Sequence, residues 1–461
     1  MQQLTLLWAH LGIKTSTIIQ PLLGLLLAFV FIPLYLGSVA LVPFHPDEST
    51  YVFMSRDFST VFLERNPGAL TWIPGQPITL ETHYRLLDAP LTRYLIGLGW
   101  WLQGYSANDL NADWVWGEPW DSNQEAIPRP EVLLAGRTAL AFLGALSTIV
   151  IYWLGCEVGG LWVGMAAALL LGLNPLVLLH TRRAMAESSL IFFSALAAAG
   201  GIWLARTCDE PKVPWWKLIS CGALVGTLAG LAISSKQIEV VILPAILLVG
   251  ALVLLQRAES WARRWGQVTL LSAAIITGCG ITVWALNPIL YQQPIPVLRQ
   301  MIRSRAELVE QQIQVNGTAH PEALTPTPLA RLRAALVEVF FRPPAFWDAP
   351  VYLEQLAPPV EAYQAQLVNR LYLQPYAGVV VVVFALNGLA TNVRQLLQRE
   401  RWRFARAHQL LWLWTVLTLG LLMAVIPFDW QRYFLPLLPP TCLWAALGMG
   451  TTARLVVNRL V

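Results

Sequence analysis

The sequence predicts an all-α polytopic membrane protein with about ten transmembrane helices. Of its 461 residues, 56% are hydrophobic and 13% are charged, whereas soluble domains carry roughly 25% charged residues. The chain also contains 31 Pro, 31 Gly and 21 Trp, which membrane helices and their interfaces accommodate. Membrane strands would instead appear as short segments of alternating hydrophobicity. The composition therefore excludes a soluble enzyme, a disordered chain and a coiled coil.

Ten apolar segments are long enough to cross the ~30 Å of bilayer hydrocarbon. They lie near residues 21–42, 138–155, 161–179, 188–205, 218–234, 240–256, 267–287, 376–393, 409–427 and 433–453. The first segment is predicted to stay in the membrane, because the residues before it make a poor signal-peptide n-region and 38–40 is a poor cleavage site.

The distribution of Lys and Arg predicts the orientation, since short basic loops stay in the cytoplasm. The cytoplasmic side receives the N-terminus with Lys14, the stretches 206–217, 257–264 and 394–406, and the tail with Arg454 and Arg459. The outer side receives two long loops, 43–137 and 288–375, and three short ones, 182–187, 235–239 and 428–432. Both termini are thus predicted to be cytoplasmic.

Net charge and cysteine usage exclude two further classes. The formal net charge is only +4, so nothing indicates a nucleic-acid partner. The five cysteines lie singly in or beside apolar segments, which indicates neither a disulfide framework nor a zinc site.

The first outer loop contains two unusual segments. Residues 91–102 are apolar but short, which predicts a juxtamembrane helix in the membrane interface. Residues 104–131 mix carboxylates with Trp114, Trp116 and Trp120. We interpret this insert as a solvated acidic loop held down by interfacial tryptophans, with a ligand-binding lid as the alternative.

Charged residues cluster at four places on the predicted outer side. Such residues at membrane depth usually mark a pathway or a site, although capping residues and snorkelling arginines offer a simpler explanation for each cluster. The clusters contain Asp47 and Glu48, then Arg182, Arg183 and Glu187, then Lys236, and finally Arg432. Their common side predicts one outward-facing site with carboxylates and a cationic clamp.

This combination of groups suits transfer from a phosphorylated membrane lipid. A carboxylate can take the proton from an acceptor hydroxyl. Guanidinium and ammonium groups can stabilise the charge that develops on a leaving phosphate.

The motifs resemble those of GT-C glycosyltransferases such as protein O-mannosyltransferases and the lipid A aminoarabinose transferase. Residues 45–48 resemble the acidic motif of the first outer loop, and 89–96 resemble the His-Pro-Pro-Leu-x-Lys segment of the juxtamembrane helix. Residues 183–187 are similar to the family's Arg-x-x-x-Asp. Residues 236–237 and 431–436 fall where such enzymes have Lys-Gln and Arg-Tyr-x-x-Pro.

The chain departs from the family pattern at three places. Glu187 replaces an Asp, which keeps the charge and lengthens the side chain. Residues 88–90 lack the usual cation, whose role would then fall to Arg85 or Arg93. The insert 104–131 has no counterpart in the family pattern.

The resemblance implies a role for each site residue. Asp47 is expected to be the base, Glu48 to orient it or hold the loop, and Glu187 to position the acceptor or a metal. The donor phosphate is expected to bind Arg182, Arg183, Lys236, Arg432 and Arg93. No cofactor is required; a divalent metal is compatible with His45, Asp47 and Glu187, whose spacing fixes no coordination geometry.

The sequence is therefore identified as that of an integral-membrane glycosyltransferase, and the whole chain, 1–461, as a single membrane-embedded catalytic domain. It would move a sugar from a polyprenyl-phosphate-linked donor to an acceptor lipid, glycan or protein, with inversion. A nucleotide sugar is excluded because no Asp-x-Asp motif or soluble α/β domain is present. The expected location is the bacterial inner membrane, with the active site facing outward.

The main alternative is a polytopic transporter or lipid flippase, and a structural or binding role ranks third. A transporter should place polar residues and helix breaks near the middle of its spans. Span centres such as 163–173 and 247–255 are instead rich in Ala, Leu and Val, and we see no internal repeat. This pattern favours the enzyme.

Overall fold

A computed structural model describes residues 15–347, 352–370, 375–397 and 405–460. The helices are α1 (Thr15–Gly37), α2 (Pro46–Met54), α3 (Leu80–Leu87), α4 (Leu91–Leu102), α5 (Pro130–Gly159), α6 (Leu161–Gly172), α7 (Pro175–His180), α8 (Glu187–Asp209), α9 (Trp215–Ser235), α10 (Ile242–Leu255), α11 (Trp261–Leu286), α12 (Pro294–Ala319), α13 (Pro328–Phe340), α14 (Leu353–Ala365), α15 (Leu367–Arg370), α16 (Tyr376–Leu397), α17 (Ala405–Val425) and α18 (Leu438–Leu460). Short 3-10 and π turns join some of them. The predicted all-α fold class is confirmed.

Nine helical segments in the described ranges are long and apolar enough to cross a membrane, one fewer than the ten predicted. The segment predicted to span at 161–179 is not one continuous helix, because the chain forms the 12-residue α6 and the 6-residue α7 there. The Asn174 side chain accepts hydrogen bonds from the backbone N–H groups of Leu176 and Val177. Since the residue before a proline disfavours helical backbone, Asn174 and Pro175 end one helix and begin the next.

Helices α5 and α6 form a tight antiparallel hairpin. Gly160, between them, has a φ of 91°, a conformation that favours glycine. Farther along the hairpin, a Cβ atom on Gly155 would lie 2.6 Å from the Cα of Gly164. The hairpin carries the segment after α7 back beside the outer half of α5, where the candidate site lies.

The predicted cytoplasmic loops meet at one end of the bundle. Arg206 pairs with Glu157, and Arg406 pairs with Asp209 at 3.1 Å. Lys14 and residues 398–404 lie outside the described residues. The predicted outer loops meet at the opposite end, so the structure separates the two sets of loops as predicted, while the side of the membrane that each faces stays a prediction.

Both long outer loops are folded. The predicted juxtamembrane helix at 91–102 is present as α4. In the acidic insert, Trp114 is only 1% exposed and its ring centroid lies 5.4 Å from that of Tyr352. This part of the insert is therefore buried against the second outer loop, whereas the sequence predicted a solvated loop with interfacial tryptophans.

Candidate active site

The site begins at the first turn of α2. His45 precedes the helix, and its Nδ1 accepts a hydrogen bond from the Asp47 backbone N–H at 3.1 Å. The Glu48 carboxylate accepts a hydrogen bond from the His45 backbone N–H at 3.0 Å. These reciprocal bonds fix the start of the helix. Because adjacent residues on a helix do not share a face, Asp47 and Glu48 point in different directions.

Glu48 is fully buried and holds three segments together. Its carboxylate accepts hydrogen bonds from Arg137 Nε at 2.7 Å and Arg137 Nη2 at 2.6 Å. It also accepts one from the backbone N–H of Ala184 at 2.7 Å. Such charge-assisted, bidentate contacts are among the strongest in proteins. Glu48 thereby ties α2 to α5 and to the turn before α8, which favours a loop-holding role.

Asp47 is the accessible carboxylate of the site. Its Oδ2 lies 2.5 Å from Nη1 of Arg432, and its side chain is 23% exposed. Glu187, by contrast, is 2% exposed. A substrate entering the site can therefore reach Asp47 more readily than Glu187.

Glu187 lies in the first turn of α8 and pairs with Lys236. Its Oε1 is 3.0 Å from the Lys236 ammonium, whose side chain is 28% exposed. Oε2 has no hydrogen-bond partner among the residues that the structure describes. The positive end of the helix dipole favours a carboxylate at this position. Lys236 is thus the accessible member of the pair.

The ring of Tyr433 joins the two ion pairs. Its centroid lies 5.7 Å from the Lys236 ammonium and 5.4 Å from Cζ of Arg432, within the range of cation–π attraction. The structure therefore brings Asp47, Glu187, Lys236 and Arg432 together from four separate parts of the sequence.

Arg182 is fully buried and its guanidinium is surrounded by acceptors. It donates hydrogen bonds to Tyr363 Oη at 2.8 Å and to Asn369 Oδ1 at 2.9 Å. It also donates to Ser38 Oγ and to the carbonyl oxygen of Leu178. These contacts connect the second outer loop to α1 and α7. Donor-phosphate binding by Arg182 stays a prediction, and the geometry favours an anchoring role.

Arg183 is also fully buried. It donates hydrogen bonds to the carbonyl oxygens of Phe346 at 2.8 Å and Pro43 at 3.3 Å. Two histidines of the site, His45 and His180, have pKa values well below the usual range. Burial is the main cause, and the positive charge of Arg183 is the next largest. Both imidazoles are therefore neutral at physiological pH.

Arg93 lies in a second cluster around Asp57. Its Nη1 is 3.1 Å from the Asp57 carboxylate, which also accepts two hydrogen bonds from Arg85 at 2.7 and 3.0 Å. Arg93 Nη2 donates to the carbonyl oxygen of Asp88 at 2.8 Å. Both cations proposed to replace the missing family cation thus bind Asp57, and within the described ranges neither forms an ion pair or hydrogen bond with Asp47.

Three residues of the site were missed at the sequence level. Arg137 had a signal, since an arginine inside an apolar helix usually has a buried partner. Asp57 had none. His180 is 2% exposed, and neither of its ring nitrogens has a hydrogen-bond partner within the described ranges.

Metal ligands are not assembled in the part of the chain that the structure describes. No group of three or more His, Cys, Asp or Glu side chains there could hold a metal ion. The metal dependence of the site stays a matter for experiment.

The comparisons with known proteins agree with this architecture. The family model for dolichyl-phosphate-mannose-protein mannosyltransferase matches residues 79–291, which include α4, α5 and the turn before α8. No curated protein sequence matches the chain significantly.

Several solved structures resemble the chain at low sequence identity. The Archaeoglobus fulgidus oligosaccharyltransferase in the apo form has a TM-score of 0.52 at 15% identity, covering 95% of this chain and 52% of that one. ArnT from Cupriavidus metallidurans bound to undecaprenyl phosphate has a TM-score of 0.48 at 13% identity, covering 95% and 60%. The Saccharomyces cerevisiae protein O-mannosyltransferase Pmt1–Pmt2 complex bound to the sugar donor has a TM-score of 0.40 at 16% identity, covering 62% and 35%.

The chain spans about half the length of the oligosaccharyltransferase and about a third of the mannosyltransferase chain that it matches. The oligosaccharyltransferase likeness shows a shared fold across nearly the whole of this chain. Together with the family match over residues 79–291, which covers a little under half of the chain, this shared fold agrees with the resemblance to GT-C glycosyltransferases noted in the motifs.

Proposed function

We propose that this protein transfers a sugar from a polyprenyl-phosphate-linked donor to a hydroxyl group of an acceptor on the outer side of the membrane. The observation that carries the proposal is the meeting of two carboxylates and two cations around Tyr433. The family match over residues 79–291 supports it, because that family is named for a dolichyl-phosphate-linked mannose donor.

Asp47 is the base of the proposed reaction. It takes the proton of the acceptor hydroxyl, whose oxygen forms a bond to the anomeric carbon of the sugar. The bond from that carbon to the phosphate oxygen breaks on the opposite face, so the configuration inverts. The electron pair leaves with the phosphate. No general acid is required, because a phosphate departs as an anion.

Arg432 and Lys236 bind the departing phosphate in this proposal. They are the more accessible cations of the candidate site, with side chains 10% and 28% exposed. Because the phosphate gains negative charge as the bond breaks, these groups bind the transition state more strongly than the donor. The positive charge thus comes from the protein, and the proposed reaction requires no metal.

Both cations are paired with carboxylates before substrate binds. A donor phosphate must therefore compete with Asp47 for Arg432, and with Glu187 for Lys236. Once the phosphate has taken Arg432, the Asp47 carboxylate is released from its ion pair and can accept a hydrogen bond from the acceptor hydroxyl. The donor should therefore bind before the acceptor.

The prenyl tail has a surface on the protein to lie against. In α4, Leu98, Trp101 and Leu102 are 37%, 45% and 69% exposed. Each CH₂ group of a tail buried on this surface contributes about 0.8 kcal/mol to binding. A long-chain donor should therefore bind more tightly than a short-chain analogue.

The direct test supplies the purified full-length protein in detergent with labelled lipid-phosphate sugars or nucleotide sugars and candidate acceptors. Product is separated by thin-layer chromatography. We expect transfer from the lipid-phosphate donor and none from the nucleotide sugar. Transfer from the nucleotide sugar only would refute the proposal. Translocation of the lipid in proteoliposomes without sugar transfer would identify the protein as a flippase.

A further inference from the structure

A second pocket lies beside the candidate active site, between the second outer loop and the turn that carries Arg432. We call it the outer pocket, and its volume is about 240 Å³. Its lining includes Asn316, Glu322, Glu338, Arg342, Trp347 and Asp429 to Gln431. Since a water molecule occupies about 30 Å³ of liquid, the outer pocket has room for a group of several heavy atoms.

Trp430 connects the outer pocket to the active site. It lines the outer pocket, and its ring centroid lies 5.3 Å from that of Tyr433, the residue between Lys236 and Arg432. Trp430 is 9% exposed, and its Nε1 has no hydrogen-bond partner among the described residues. A group bound in the outer pocket is therefore separated from the catalytic cations by aromatic rings.

The charge of the outer pocket is predominantly negative. Glu338 pairs with Arg342 at 3.0 Å, and its side chain is 8% exposed. Asp429 forms no ion pair in the described part of the chain, although it is partly buried. Glu322, at the rim, is 75% exposed and lies 3.5 Å from His320. The outer pocket is thus lined by three carboxylates, one guanidinium and the imidazole of His320, so acidic groups predominate.

The two inner carboxylates, Glu338 and Asp429, repel each other when both are ionised. Burial raises the pKa of Glu338 to about 7 despite the opposing effect of Arg342, and Asp429 raises it further. Burial also raises the pKa of Asp429. A cation placed between Glu338 and Asp429 would stabilise the ionised form of each carboxylate and so lower both pKa values.

We propose that the outer pocket binds a protonated amine carried by the acceptor. Carboxylates form charge-assisted hydrogen bonds with an ammonium group, and tryptophan is the best aromatic partner for a cation. The size of the pocket and its aromatic walls suit an organic cation more than a metal ion. The assignment to the acceptor rests on the proposed function, whereas the binding of an amine does not.

The test is a calorimetric titration of the purified full-length protein with two small probes. N-acetyl-lysine methylamide carries the amine, and N-acetyl-norleucine methylamide is its uncharged counterpart. The loss of one charge-assisted hydrogen bond weakens binding by about tenfold or more. We expect the lysine probe to bind at least about tenfold more tightly than the norleucine probe. Equal affinity for the two probes would overturn the proposal.

Variants locate the binding and its pH dependence. Asp429→Asn should weaken the lysine probe about tenfold, whereas the matched change Asp121→Asn, at an exposed position of the insert, should not. Because the bound cation requires ionised Glu338, affinity should rise about tenfold from pH 6 to pH 8. Glu338→Gln should remove this rise. A rise that persists in Glu338→Gln, or displacement of the probe by calcium chloride, would contradict the assignment.

The two proposals fail separately. A protein that binds the lysine probe but transfers no sugar would refute the proposed function and leave the amine site intact. A protein that transfers sugar but binds both probes equally would refute the amine site and leave the proposed function intact.

Discussion

Replacing Asp47 by Asn should separate turnover from donor binding. An amide keeps the size of the side chain but cannot take a proton, so the rate should fall by a factor of ~10²–10⁴. The same change should strengthen donor binding, because Arg432 no longer has a carboxylate 2.5 Å away to compete with the phosphate.

The size of the second effect follows from the contact. A hydrogen bond between charged groups contributes about 1.5–3 kcal/mol. Because the Asp47 side chain is 23% exposed, solvent screening places the gain at the lower end of that range. About 1.5 kcal/mol corresponds to roughly tenfold tighter binding.

Two measurements on purified protein in detergent test these expectations. Single-turnover transfer gives the chemical rate, and titration with polyprenyl phosphate gives the donor affinity. Asp121→Asn is the matched control, since it makes the same chemical change in the exposed part of the insert, and it should alter neither quantity. Near-normal turnover in Asp47→Asn would remove Asp47 as the base, and weaker lipid binding would show that Arg432 does not contact the phosphate.

Three further expectations concern topology, anchoring and stability. All five native cysteines are buried, so they should not react with impermeant maleimide. A cysteine introduced by Glu118→Cys should react from outside the cell, and one introduced by Lys212→Cys only after permeabilisation. The reverse pattern would invert the predicted orientation. If Arg182 anchors the second outer loop, Arg182→Ala should reduce the yield of folded protein and leave the kcat of the folded fraction within about twofold of the original. A large drop in kcat would instead identify Arg182 as a ligand of the donor phosphate. Arg137→Ala should destabilise the protein by about 3–5 kcal/mol, because it leaves the Glu48 carboxylate buried and unpaired; an unchanged thermal transition in detergent would show that this pair is dispensable.

The sequence predicted the convergence of the site because membrane topology restricts where charged residues can lie. Once the basic loops are placed on one side, the clusters at 45–48, 182–187, 236 and 432 must share the other. Their chemical identity then predicts ion pairs, and the structure contains two of them. The break in the predicted span at 161–179 also had a signal, Asn174 followed by Pro175, but the continuous apolar character of the segment concealed it.

The sequence could not distinguish an anchoring arginine from one that faces the substrate. Arg182 and Arg432 both lie in polar turns at the ends of apolar helices. The two arginines differ in the groups that accept their hydrogen bonds. The acceptors of Arg182 include Tyr363 and Asn369, which lie more than 180 residues away in the sequence. Contacts over such separations depend on how the second outer loop folds back, which no local pattern in the chain reveals.

The attachment of Glu48 to Arg137 has a consequence for how this architecture can diversify. The carboxylate next to the proposed base is fastened to a transmembrane helix and to the short turn before α8, rather than to the long outer loops. Changes in the length or composition of the outer loops can therefore remodel the entrance without displacing Asp47. Under the proposed function, the helix bundle positions the base, and the long outer loops are the parts that can change with the acceptor.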